Sequence, residues 1–160
     1  MRILESNFVA FEPAWRADWV WGLQLIVLTV VLHILCLGPI RIGAVRAYIR
    51  TSQRYSHMTR FVVVMGTTTL LATILHGAEA SLWAAAYRFL GALPDNRSAV
   101  LYSLNAITSY GHTRLQLEAR WELMGALESL NGWLLFGLTT AFFFATIEKV
   151  WSVDESTSNR

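Results

Sequence analysis

The chain has 160 residues, of which 54% are hydrophobic, 12% aromatic and only 15% charged, with a formal net charge of +2. A soluble domain usually carries about 25% charged residues, so this composition argues against one and points to the lipid bilayer as the solvent. The single Cys36 excludes an intrachain disulfide and any metal site built on cysteines, and three prolines with ten glycines leave no room for a long linker between folded domains.

Glu5, Glu12 and Asp18 interrupt the place where the basic and apolar regions of a signal peptide would stand, so the first apolar run is expected to be retained as a membrane helix. That span is read over residues 18–38 and closes at Gly38-Pro39, a helix-stop pair; Trp15, Trp19 and Trp21 form an interfacial belt at its start. Twenty residues at 1.5 Å each cover the roughly 30 Å hydrocarbon layer. Residues 38–60 hold Arg41, Arg46, Arg50, Arg54 and Arg60 with no acidic residue, which places this stretch on the cytoplasmic side and leaves N-terminus and first loop on opposite faces. Within it, residues 40–58 set arginines between Ile42, Val45, Tyr48 and Ile49 at helical spacing, which suits either an amphipathic helix on lipid headgroups or a helical extension of a span. Membrane lipids are the partners expected of these arginines; nucleic acid and soluble proteins are not.

A second apolar region covers residues 61–93, longer than one crossing needs, and the chain turns at Pro94-Asp95-Asn96. A short helix is predicted next, with Asp95 or Asn96 as its cap and an end near Ile107, within a segment 96–120 too short to cross the membrane and read as re-entrant. The last span is read over 122–151, opened by Trp121 and closed by Lys149 and Trp151, with a polar cytoplasmic tail at 152–160. Three crossings that start outside end inside, so the expected location is a bacterial-type inner cell membrane, with several passes and a cytoplasmic C-terminus.

Individual residues extend this pattern to a resemblance. The stretch Leu101-Tyr102-Ser103-Leu104 looks like the aromatic-Ser-Leu pore helix of the potassium-channel superfamily. Downstream, the run from Trp121 through Glu122, Leu123, Met124, Gly125 and Ala126 to Leu127, Glu128, Ser129, Leu130, Asn131 and Gly132, followed by Leu135-Phe136-Gly137, resembles the inner-helix start of small bacterial channel-like proteins, W-R-L-L-G-P-L-E-A-L-N-G-L-L-L-F-G. The likeness covers about residues 70–150. It implies an all-α membrane protein with three transmembrane helices, a re-entrant pore helix and a filter loop, assembled as a homotetramer that passes monovalent cations. No cofactor is implied beyond the permeant ion, potassium in the family.

The gap-free register sets the family's filter, T-T-V-G-Y-G-D, against Thr108, Ser109, Tyr110, Gly111, His112, Thr113 and Arg114; a rival register pairs Tyr110-Gly111 with its Y-G and His112 with its Asp. In the first register Thr113 replaces a glycine whose freedom helps aim carbonyl oxygens at the ion, so the filter departs from the family's shape. Arg114 stands at the outer mouth, where Glu118 or Glu79 could pair with it, and His112 could either titrate near neutrality or simply hold the loop by a hydrogen bond. His76 and Glu79, on one face of the second span, are expected to brace the pore helix or Arg114, the alternative being a proton relay, and Trp83 to support the filter beside them; Glu128 to brace the loop; Asn131 to face the cavity or bond another helix; Gly132 and Gly137 to act as hinges or as close-packing positions.

Two other function classes compete with this reading. A haem or metal site needs two ligands at one depth; the spans put His33 about 21 Å below the outer start of its helix and His76 about 6 Å below the outer surface, so no ligand pair and no metal are expected. An enzyme is not expected either, because no nucleophile triad, zinc motif or phosphate loop occurs. The alternative reading of the broken filter is a channel-shaped subunit that does not conduct and serves a regulatory or structural role.

Overall fold

The computed structural model describes the backbone of residues 2–51, 54–111 and 115–158, and the side chains of residues 15–51, 54–111 and 115–153. Among the described residues the chain is helical without strands: α1 (Arg2–Arg50), α2 (His57–Phe89), α3 (Asn96–Ile107) and, after a 3-10 turn at Ala119–Trp121, α4 (Glu122–Ser158). Three helices are long and apolar enough to cross a membrane, over Trp15–Arg50, His57–Phe89 and Ala119–Val153. Exposed Val27, Val31, Ile34 and Leu35 on α1, Val62, Val63, Leu70 and Ile74 on α2, and Trp133, Phe136 and Phe144 on α4 give these helices apolar outer faces that suit lipid and would be anomalous in water. The chain is read accordingly as a multi-pass membrane protein.

Contrary to the expected stop at Gly38-Pro39, α1 runs unbroken through both residues to Arg50, so the arginine-rich stretch is a helical extension. Proline removes one helical hydrogen bond and costs roughly 3 kcal/mol in a helix interior. The turns on either side of Pro39 are already formed, and extending an existing helix adds a hydrogen bond per residue without a new nucleus, so the helix continues through it. The last helix likewise continues past Trp151 to Ser158, into the stretch read as a polar tail.

Two compact units divide the chain, and α1, α2 and α4 each contribute to both. Residues 1–31 and 77–134 form the first, which contains α3. Its core is Leu25, Trp83, Ala84, Tyr87, Ala92, Leu93, Ala99, Tyr102, Ala106, Leu117, Trp121, Met124 and Leu127. The second unit holds residues 32–76 and 135–160, with Ala44, Tyr48, Val64 and Val150 packed together and the Arg60 guanidinium 4.5 Å above the Tyr48 ring.

α2 and α3 end in the same way. At the end of α2 the Ala92 amide donates to Tyr87 O and the Gly91 amide to Arg88 O, with Gly91 at φ 69. At the end of α3 the Tyr110 amide donates to Asn105 O and the Ser109 amide to Ala106 O, with Ser109 at φ 54. Both are Schellman motifs, which satisfy the last carbonyls of a helix through one left-handed residue.

Candidate functional site

The segment carrying the short helix is built from its cap inward. Asp95, in extended backbone at φ −145, accepts the Ser98 amide at 2.9 Å and the Ser98 hydroxyl at 2.7 Å, so α3 starts one residue after it. These bonds, the amide first, hold the Asp95 carboxyl below its ordinary value. Arg88 at the end of α2 donates to Leu93 O at 2.6 Å and to Asn96 Oδ1 at 3.0 Å, tying the turn to α2. On the return path the Glu118 amide donates to Ala92 O at 3.3 Å. The chain therefore leaves α2 and comes back to α4 at adjacent points.

Between those points α3 lies along α4. Gly125, Ser129 and Gly132 form the facing stripe of α4: a Cβ at 125 would overlap the Tyr102 hydroxyl, and one at 132 would overlap the carbonyl oxygen of Ile107. Ser129 Oγ donates to Ala106 O at 2.9 Å. Small residues let the two backbones touch, as helices in lipid commonly do. Gly132 is about 15 Å along α4 from Glu122 at 1.5 Å per residue, so the far end of α3 reaches that deep beside it.

A buried acid fastens α3 from behind. Tyr87 Oη donates to Glu128 Oε2 at 2.7 Å, while the Ser103 hydroxyl bonds both Glu128 Oε1 and, at 2.5 Å, the Ala80 carbonyl oxygen. Glu128 and Ser103 are both fully buried. A carboxyl in such a place is tolerated because it is hydrogen-bonded from two elements, α2 and α3. One turn further along α4, Asn131 Nδ2 donates to Thr29 Oγ1 of α1 at 2.9 Å, which is the helix-to-helix bond of the two roles left open for it. Asp18 of α1, only 3% exposed, accepts the Leu123 amide, placing a carboxyl at the positive end of α4.

The residues read as a filter divide at this point. Thr108 is the C-cap of α3, and Ser109 and Tyr110 are the two residues that close its Schellman motif, so these three belong to the helix end. Tyr110 is 84% exposed and Gly111 adopts φ 87. His112, Thr113 and Arg114 lie outside the described residues. Glu118 pairs with Arg120 at 3.1 Å, both exposed, an interaction worth roughly 0–1 kcal/mol at most. Among the proposed supports, Trp83 is buried 6.2 Å from the Tyr87 ring and Glu79 is buried on α2. Gly132 is a close-packing position; Gly137 has nothing near its absent Cβ.

No family model, curated protein or solved structure matches the chain.

In the second unit the histidines overturn the expectation that no two of them meet. His33 and His76 have ring centroids 5.1 Å apart, and the Nε2 of each lies 3.0 Å from Thr139 Oγ1 of α4. The expected mismatch in depth came from ending α1 at Pro39. With α1 continued to Arg50, His33 stands about 26 Å before that end and His76 about 28 Å past the start of α2 at His57. Thr139 carried no signal in the sequence, since a threonine in an apolar run, like its neighbour Thr140, usually bonds only its own helix; that Ser103 and Tyr87 meet Glu128 depends on helix packing and was equally invisible.

Proposed function

We propose that the chain is the pore-forming subunit of a tetrameric, potassium-channel-like channel that passes monovalent cations, with residues 96–120 entering and leaving the membrane from one side. The observation that carries this reading is the meeting of Ala92 and Glu118, 3.3 Å apart, while α3 between them reaches the level of Gly132 beside α4. A surface helix would not be sunk along its neighbour in that way. Apolar residues on the outer side of α3, Leu101 and Leu104, and Leu130 on α4 are exposed in one chain and suit packing against further copies. The negative end of the α3 dipole, about half a charge near Ile107, favours a cation beyond it. The arginines of the α1–α2 connection and the end of α4 then lie in the cytoplasm, with the turn before α3 at Asp95 and the return at Glu118 outside.

Purified protein in liposomes tests this. A native mass of four chains with potassium or sodium flux above empty vesicles is expected. An impermeable tetramer would favour the non-conducting, channel-shaped subunit, and a monomer that passes no ions would overturn the pore.

A further inference from the structure

Ionisable groups inside membrane helices are costly and tend to mark a site. His33 is fully buried, His76 and Thr139 half-buried, and they come from α1, α2 and α4. Two imidazole nitrogens aimed at one oxygen atom, each at 3.0 Å, define a single point between them. Zinc binds imidazole nitrogen at about 2.0–2.1 Å, and two rings held through Nε2 at a tetrahedral angle would have centroids roughly 5 Å apart. The observed separation is 5.1 Å, with the ring planes inclined by 45°. Little movement is needed to place an ion between the nitrogens.

From this geometry we propose that His33 and His76 are the protein ligands of a transition-metal site within the membrane-spanning helices, with Thr139 beside it. The ion class follows from the donors: neutral imidazoles suit Zn²⁺, Cu²⁺ or Ni²⁺ and disfavour the hard alkali and alkaline-earth cations that prefer oxygen. Both rings would carry their proton on Nδ1 and present a lone pair at Nε2. Thr139 Oγ1, freed from bridging the two rings, would accept a hydrogen bond from a metal-bound water at the half-open side. Binding would join α1 and α2 by one ion. It does not depend on whether the chain conducts.

The test uses untagged protein in detergent, loaded with ZnCl₂ or CuCl₂ and desalted. About one Zn²⁺ per chain is expected, with affinity falling by more than about tenfold in His33→Gln and in His76→Gln and unchanged in His57→Gln. The Cu²⁺ form of the wild-type protein should show electron-spin-resonance couplings to two imidazole nitrogens, a readout that needs no variant to fold. Absence of retained metal, loss of binding in His57→Gln alone, or a spectrum without two nitrogen couplings would overturn the site.

Discussion

Gly132 of α4 meets the backbone carbonyl of Ile107 at the end of α3 so closely that no β-carbon would fit between them. Gly132→Ala must therefore push α3 away from α4 or bend one of them, and overpacking of this kind costs about 1–3 kcal/mol. Gly137→Ala, with open space around it, should be neutral or stabilising by up to about 1 kcal/mol because alanine favours a helix. Thermal unfolding in detergent, followed by circular dichroism, should rank the pair in that order. Equal midpoints would show that α3 is not seated on Gly132.

Removing the Glu128 carboxyl strands the Tyr87 hydroxyl, while Ser103 keeps the Ala80 carbonyl oxygen as its acceptor. In Glu128→Ala the Tyr87 hydroxyl loses its acceptor in a buried place and a cavity opens, so a loss of about 2–4 kcal/mol is expected. Glutamine keeps an acceptor for Tyr87 and offers an N–H to Ser103 Oγ, whose own proton can then go to Ala80 O. Glu128→Gln should accordingly retain most of the stability. If the two variants unfold alike, the network does not hold α3.

The two Schellman motifs predict opposite outcomes for exchanges at their left-handed residues. Gly91→Ala forces a β-carbon into a conformation that costs about 1–2 kcal/mol, whereas Ser109→Gly relieves such a cost. The first variant should unfold at a lower temperature than wild type and the second at a higher one.

Asp95 links the α3 cap to pH. Its folded-state pKa lies below the unfolded value near 3.9, so its contribution is complete above about pH 4 and is lost as the pH falls through the lower, folded value. The gap in unfolding midpoint between wild type and Asp95→Ala should be constant from about pH 7 to pH 5 and close below about pH 4. A gap that persists at lower pH would mean that the cap does not act through the ionised carboxyl.

Local chemistry made much of this protein legible from its residues alone. Three apolar stretches of spanning length, a turn at Pro94-Asp95-Asn96 and a capping Asp95 or Asn96 all act within a few positions of themselves, and α3 begins at Asn96 where they predict, although α2 ends at Phe89, short of the expected 93. Pairings across helices were not legible, because they depend on axial register, and register depends on where each helix stops. Pro39 reads as a stop, yet the helix continues through it to Arg50, and with that longer helix His33 stands level with His76. Thr29 with Asn131, Ser103 with Glu128, and Thr139 between two imidazoles follow from the same cause: the sequence names the polar groups that a membrane interior must satisfy, and only the packed helices decide which group satisfies which.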